Sequence, residues 1–139
     1  MNSGAHSGAQ AAVQFGVFSS LKRINQVATF LTANNKSGVF VFAPNNPPDE
    51  HVLTTSFELI RPDNATMYAT ASFFPNSDAV YDTVEYVEMS CEEVEKKVFA
   101  NLKRVSTLKK DIIMLDGGSV KVFLMPAGSG CIVIKKEVL

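Results

Sequence analysis

The stretch MSCEEVEKKVFANLKRVSTLKK, residues 89–110, decides how the rest of the chain is read. Ser90 stands where an N-cap belongs and Glu93 follows three residues on, the capping-box pattern. Met89 before the cap and Val94 in the first turn are placed to form a hydrophobic staple. Cys91, Val94, Val98, Leu102 and Val105 recur at spacings of 3, 4, 4 and 3, so on a helix they share one face. At about 100° per residue, Lys96, Lys103 and Arg104 fall on the other side, more than roughly 110° from the apolar centre. Glu92, Glu93 and Glu95 occupy the first turns and bases the last, which suits the helix dipole. The spacing predicts one amphipathic helix across the whole stretch, with a basic outer face.

Beyond it, strands are expected at 111–115, 120–125 and 131–138. Asp116-Gly117-Gly118-Ser119 and Pro126-Ala127-Gly128-Ser129-Gly130 supply turns between them. Before it, 52–60, 66–74 and 79–88 are rich in β-branched and aromatic residues. Arg61-Pro62-Asp63-Asn64 and Pro75-Asn76-Ser77-Asp78 separate them with good turn chemistry, so they read as an antiparallel meander. Residues 39–43 are a further strand, which the prolines of 44–48 cannot continue. Leu21, Ile24, Val27, Ala28 and Leu31 mark the apolar face of a first helix over 21–32, with Lys22 pointing away. Ser19 or Ser20 can cap it, and 12–18 alternates as a short strand in front. Residues 1–11, rich in Gly, Ser and Ala, read as a flexible tail, and 12–139 as a single domain. The element order becomes β-α-β-β-β twice over, a duplicated βαβββ in an α+β fold. Its two helices are expected to pack on one face of antiparallel sheet.

With 46% apolar and 19% charged residues, this is an ordinary globular composition. The net charge is −1, but it is unevenly spread. Residues 20–34 carry +2 and 90–110 carry +3, leaving −6 elsewhere. No apolar run approaches the roughly 18 residues of a membrane span, and nothing at the start resembles a signal peptide, so an intracellular protein is expected. Cys91 and Cys131 fall at positions expected to be buried and form no CxxC pair, so they read as reduced core cysteines rather than a bridge or metal site.

The strand-to-helix entry AVQFGVFSSLKRINQVATFL and the second half YVEMSCEEVEKKVFANLKRVSTLKKDIIMLDGGSVKVFLM resemble one domain of the DNA sliding-clamp family, the group that includes proliferating cell nuclear antigen. The resemblance covers nearly the whole chain and rests on topology and spacing, without a diagnostic motif. It implies helices lining a ring and presenting bases to the phosphate backbone, here Lys22, Arg23, Lys96, Lys97, Lys103 and Arg104. It also implies double-stranded DNA as a partner, sequence-independent binding, and assembly with further copies or related clamp-like chains. Clamp subunits carry two or three such domains, whereas this chain has room for one. The linker against which clamp clients dock has no counterpart. On this reading the exposed sheet edge is 131–138, guarded by Lys135 and Lys136.

Catalytic constellations are missing from the pattern. His6 and His51 have no Cys or carboxylate at ligand spacing, and no GxSxG, GxxxxGK[ST] or GxGxxG motif occurs. Asp111 and Asp116 read as a strand edge and a turn residue rather than an acid pair. Phe73-Phe74 could stack on bases, but neighbours in a strand face opposite ways. No enzyme, metal or cofactor is expected. The alternative to a clamp-like DNA-binding scaffold is an α+β protein-interaction adapter or structural subunit, such as a viral one, whose helices only cover the core.

Overall fold

The computed structural model describes residues 21–33, 35–42, 52–76 and 78–139. The expected tail at 1–11, strand at 12–18 and break at 44–48, with His6 and His51, lie outside them. The fold is α+β: among the described residues there are two helices and eight strands, and the strands pair antiparallel. The chain forms two compact units, one running up to Tyr81 and including Leu139, the other spanning Asp82–Val138.

In the first unit α1 (Leu21–Thr32) precedes β1 (Lys36–Phe42), β2 (Leu53–Ile60), β3 (Thr66–Phe73) and the first residues of β4 (Ala79–Val87). Ile24, Val27, Ala28 and Leu31 are buried, as their spacing predicts. They pack with Phe57, Leu59 and Phe73 in one core. The alternation of β2 puts Leu53, Thr55, Phe57 and Leu59 inward and Thr54, Ser56 and Glu58 outward. Thr55 is the polar group in this core, and its Oγ1 donates to the Ala71 carbonyl at 2.9 Å. Asn64 adopts φ 67° in the turn before β3, where Asp63 Oδ1 accepts from the Ala65 N–H at 3.1 Å.

The second unit contains the rest of β4, α2 (Cys91–Lys97), β5 (Lys103–Thr107), β6 (Ile113–Gly117), β7 (Val120–Ala127) and β8 (Gly130–Val138). Hydrogen-bonded neighbours run β4-β8-β7-β6-β5. The edge strand is therefore β5, and the expected edge at 131–138 is interior. Lys135, rather than guarding an edge, lies over the Phe99 ring at 5.6 Å. Two-residue turns join β6 to β7 and β7 to β8, with Gly118 at φ 84° and Gly128 at φ 56°. Each glycine occupies the first central position, where an L side chain is strained.

Two further expectations fail here. The helix predicted across 89–110 starts as expected, with the Ser90 side chain accepting from the Glu93 N–H at 3.2 Å, but it ends at Lys97. Val98 is the C-cap, Leu102 N–H turns back to the Phe99 carbonyl at 2.9 Å, and 103–107 is strand. Phe99 takes the buried position that the helical spacing gave to Val98 and Leu102, leaving Val98 and Val105 exposed. The β-branched Val105 and Thr107 gain more in an edge strand against β6 than in a helix. Second, Cys91 and Cys131 are buried but not reduced. The first residue of α2 sits over the start of β8 with the two Cα atoms 5.0 Å apart, and the sulfurs are bonded.

Candidate functional site

The structure separates the six expected phosphate-contacting residues by unit and by element. Lys22 and Arg23 lie in the first turn of α1, where Lys22 is exposed and Arg23 donates to Gln26 Oε1 at 3.1 Å. Lys96 and Lys97 form the last turn of α2. Lys103 and Arg104 lie on β5, not on the helix as expected. Arg104 returns to α2 through a two-pronged pair, Nε and Nη2 donating to Glu95 at 2.9 and 2.6 Å. That hydrogen bonding holds the Glu95 carboxyl below its ordinary value. Lys97 sits 3.5 Å from Glu93. Lys103 is paired in register with Asp116, whose carboxylate accepts from Lys121 Nζ at 2.6 Å and from the Gly118 N–H at 2.8 Å. The Lys121 contact, then the Gly118 N–H, keep Asp116 below its ordinary value. Lys22, Lys96 and Lys103 make no ion pair among the described residues. The structure thus brings four of the six basic residues into one unit but sets carboxylates beside them.

Sequence reasoning missed the other face of that unit. Leu115, Val122, Leu124, Cys131 and Val133 point toward α2 and share a core with Cys91 and Val94. On the opposite face the register lines up Met114, Phe123 and Ile134, and next to them Met125 and Ile132. A third row, Asp116, Lys121 and Lys136, ends at Asp82, whose carboxylate lies 3.6 Å from Lys136 Nζ. That bridge fixes which way β4 faces, so Val84 and Tyr86, alternating with Asp82, continue the apolar rows. Tyr86 is 49% exposed, and the others in these rows are half-buried. The corresponding side chains of the first unit are Thr54, Ser56 and Glu58 on β2 and Thr66, Tyr68, Thr70 and Ser72 on β3.

A groove of about 310 Å³ opens where these rows end. Its cause is a difference in strand length. Ile113↔Leu124 is the last pair of β6 with β7, so Met125 and Pro126 have β8 alone as a neighbour. Pro126 has no N–H to offer a further strand, and the loop 108–112, closed by Leu108 N–H to the Ile112 carbonyl at 2.8 Å, passes alongside. Leu108, Lys109, Lys110, Ile112, Met125 and Pro126 line the groove, together with Asp111, which lies 3.6 Å from Lys110.

At the far end of β4, Ser129 Oγ donates to Glu88 at 2.9 Å. Glu88 is held below its ordinary value, first by the Tyr86 hydroxyl and then by Ser129, while the same contact with Glu88 raises Tyr86. In the first unit, Phe40 and Phe42 stand outward on β1 as an edge-on ring pair 4.8 Å apart. Phe73 is buried and Phe74 exposed, as neighbours in a strand must be. No helix among the described residues is long and apolar enough to cross a membrane. No family model, no curated protein and no solved structure matches the chain.

Proposed function

We propose that the chain is a non-enzymatic, clamp-like scaffold that contacts duplex DNA through phosphate charge rather than base sequence and acts as an oligomer. The observation that carries this reading is the repeated helix-on-sheet arrangement, with an exposed lysine on each helix although α2 itself holds three acids to two bases. In each unit a helix buries its apolar stripe against antiparallel strands and turns exposed lysine outward, Lys22 on α1 and Lys96 on α2. On this reading the chain duplicates βαβββ: β4-α2-β5-β6-β7-β8 has one strand more, and α1-β1-β2-β3 is that unit without its opening strand, which falls outside the described residues. One chain supplies the length of one clamp domain, so encircling a duplex needs several copies or related chains. Such a protein works inside cells. Disulfides are rare in the reducing cytosol, so the Cys91–Cys131 bridge weighs against this part of the reading.

The test is fluorescence anisotropy with a labelled 30-base-pair duplex at 50 and 200 mM salt. If Lys22, Lys96 and Lys97 each meet one phosphate, log K falls with log salt at a slope of about −2.7 per chain. A fourfold rise in salt then weakens binding about 40-fold. Lys96→Glu with Lys97→Glu should weaken binding at least tenfold on any duplex sequence. A parent chain that does not bind at 50 mM salt, or a variant that binds as the parent does, refutes the DNA reading.

A second reading, an α+β protein-interaction subunit without a DNA role, is favoured by the two apolar rows on the outer face of the second unit. It predicts that a partner protein stays bound after nuclease treatment and competes for that face.

A further inference from the structure

We propose that the outer face of the second unit is a docking surface for a short segment of a partner protein that is both apolar and acidic. Its largest apolar side chain would enter the groove between the loop 108–112 and Pro126. This inference does not depend on DNA binding.

The sequence pattern of the strands is the first support. An antiparallel sheet with one face in water alternates apolar and polar residues, whereas strands covered on both faces read as continuous apolar runs. The first unit alternates, as LTTSFELI in β2 shows. The second unit does not: Ile112 to Leu115, Val122 to Met125 and Cys131 to Ile134 are apolar at every position. The helix of this unit, α2, covers the inner face. Among the described residues no element covers the outer one. A sheet patterned for two covers has one among the described residues.

The size of the face selects the occupant. Two rows across four strands span about 19 Å by about 14 Å, or roughly 270 Å². A stable dimer needs about 800 Å² from each partner, so the face suits one short segment rather than a second copy of this chain. Charge selects the chemistry. The row at one end sets Asp116 against Lys121 and Asp82 against Lys136, with Lys103 beside Asp116 as one further base. At the groove end Lys109 and Lys110 face a single carboxylate, Asp111, which is engaged with Lys110. The unmatched charge there is positive, and it calls for Asp or Glu beside the apolar anchor.

The test is to pan a random 12-residue peptide library, displayed on phage, against the full chain. Affinities of recovered peptides are then measured by anisotropy on the parent, on Lys109→Glu with Lys110→Glu, and on Met125→Asp. The expected peptides place Leu, Ile, Phe or Trp within three or four residues of Asp or Glu, and both variants bind them at least tenfold more weakly. The lysine pair is exposed, so that variant keeps the test informative even if Met125→Asp fails to fold. Failure to enrich any sequence, enrichment of basic peptides, or equal binding to parent and lysine variant overturns the proposal. A concentration-dependent dimer that Met125→Asp abolishes would make a second copy the occupant and overturn it equally.

Discussion

Replacing Cys91 and Cys131 together by alanine should remove about 4–5 kcal/mol of stability from the second unit. The bridge joins residues 40 apart in sequence, and constraining a loop of that length in the unfolded chain contributes about 4 kcal/mol. Trimming two buried sulfurs adds on the order of 1 kcal/mol of lost apolar burial. The bridge also ties the first residue of α2 to β8, and a helix of seven residues is too short to persist unless it is held to the sheet. Urea unfolding followed by far-ultraviolet circular dichroism measures the effect. At a slope of about 1.5 kcal/mol per molar urea, the midpoint should fall by about 3 M. A reductant added without urea should act slowly, because Cys91 and Cys131 are only 2% and 0% exposed. A loss below about 1 kcal/mol, or fast reduction of the native chain with an unchanged midpoint, would refute this account of α2 and β8.

Other substitutions probe the same unit. Arg104→Ala removes both donors to Glu95, so the Glu95 carboxyl should titrate upward toward its ordinary value when followed by carbon-detected NMR; an unmoved titration would mean that the pair is not formed. Because Arg104 is about half exposed, the stability cost should be small. Glu95 and Asp116 both have folded pKa values below their unfolded ones, so their contribution is complete above the ordinary carboxylate range near pH 4 and drains away as pH falls through the folded values. Urea midpoints at pH 7, 5 and 3 should therefore decline over the last step, and a rise on acidification would contradict the assignment. Gly130→Ala places a Cβ against the Val87 carbonyl and the Tyr86 ring, which should cost about 1–3 kcal/mol; an unchanged melting temperature would mean that β4 and β8 are not packed this way.

The first helix was legible because its apolar residues fit one period, and β2 because Thr54, Ser56 and Glu58 alternate with residues that fill the core. The hairpins were legible because Gly118 and Gly128 stand at positions that require positive φ. The end of α2 was not, because 98–107 fits two periods at once. Val98, Leu102 and Val105 have helical spacing, while Lys103, Val105 and Thr107 have strand spacing, and burial of Phe99 decides between them. The β-branched pair Val105 and Thr107 was the available signal. As a consequence, two of the six basic residues, Lys103 and Arg104, moved from a helix face to a sheet edge. The disulfide has no local signature, since it depends on where α2 lands on β8. The outer apolar face could have been found: the unbroken runs at 112–115 and 131–134 are what strands covered on both faces look like.

The central claim, a clamp-like scaffold assembling around DNA, is tested most directly by the mass of the chain in solution, measured by sedimentation equilibrium with and without a 30-base-pair duplex. The account predicts two or more chains of 15.1 kDa in the sedimenting species, either alone or, once the mass of the duplex is subtracted, on the duplex. A chain that remains at 15.1 kDa in both conditions, at concentrations up to 100 µM or so, contradicts it.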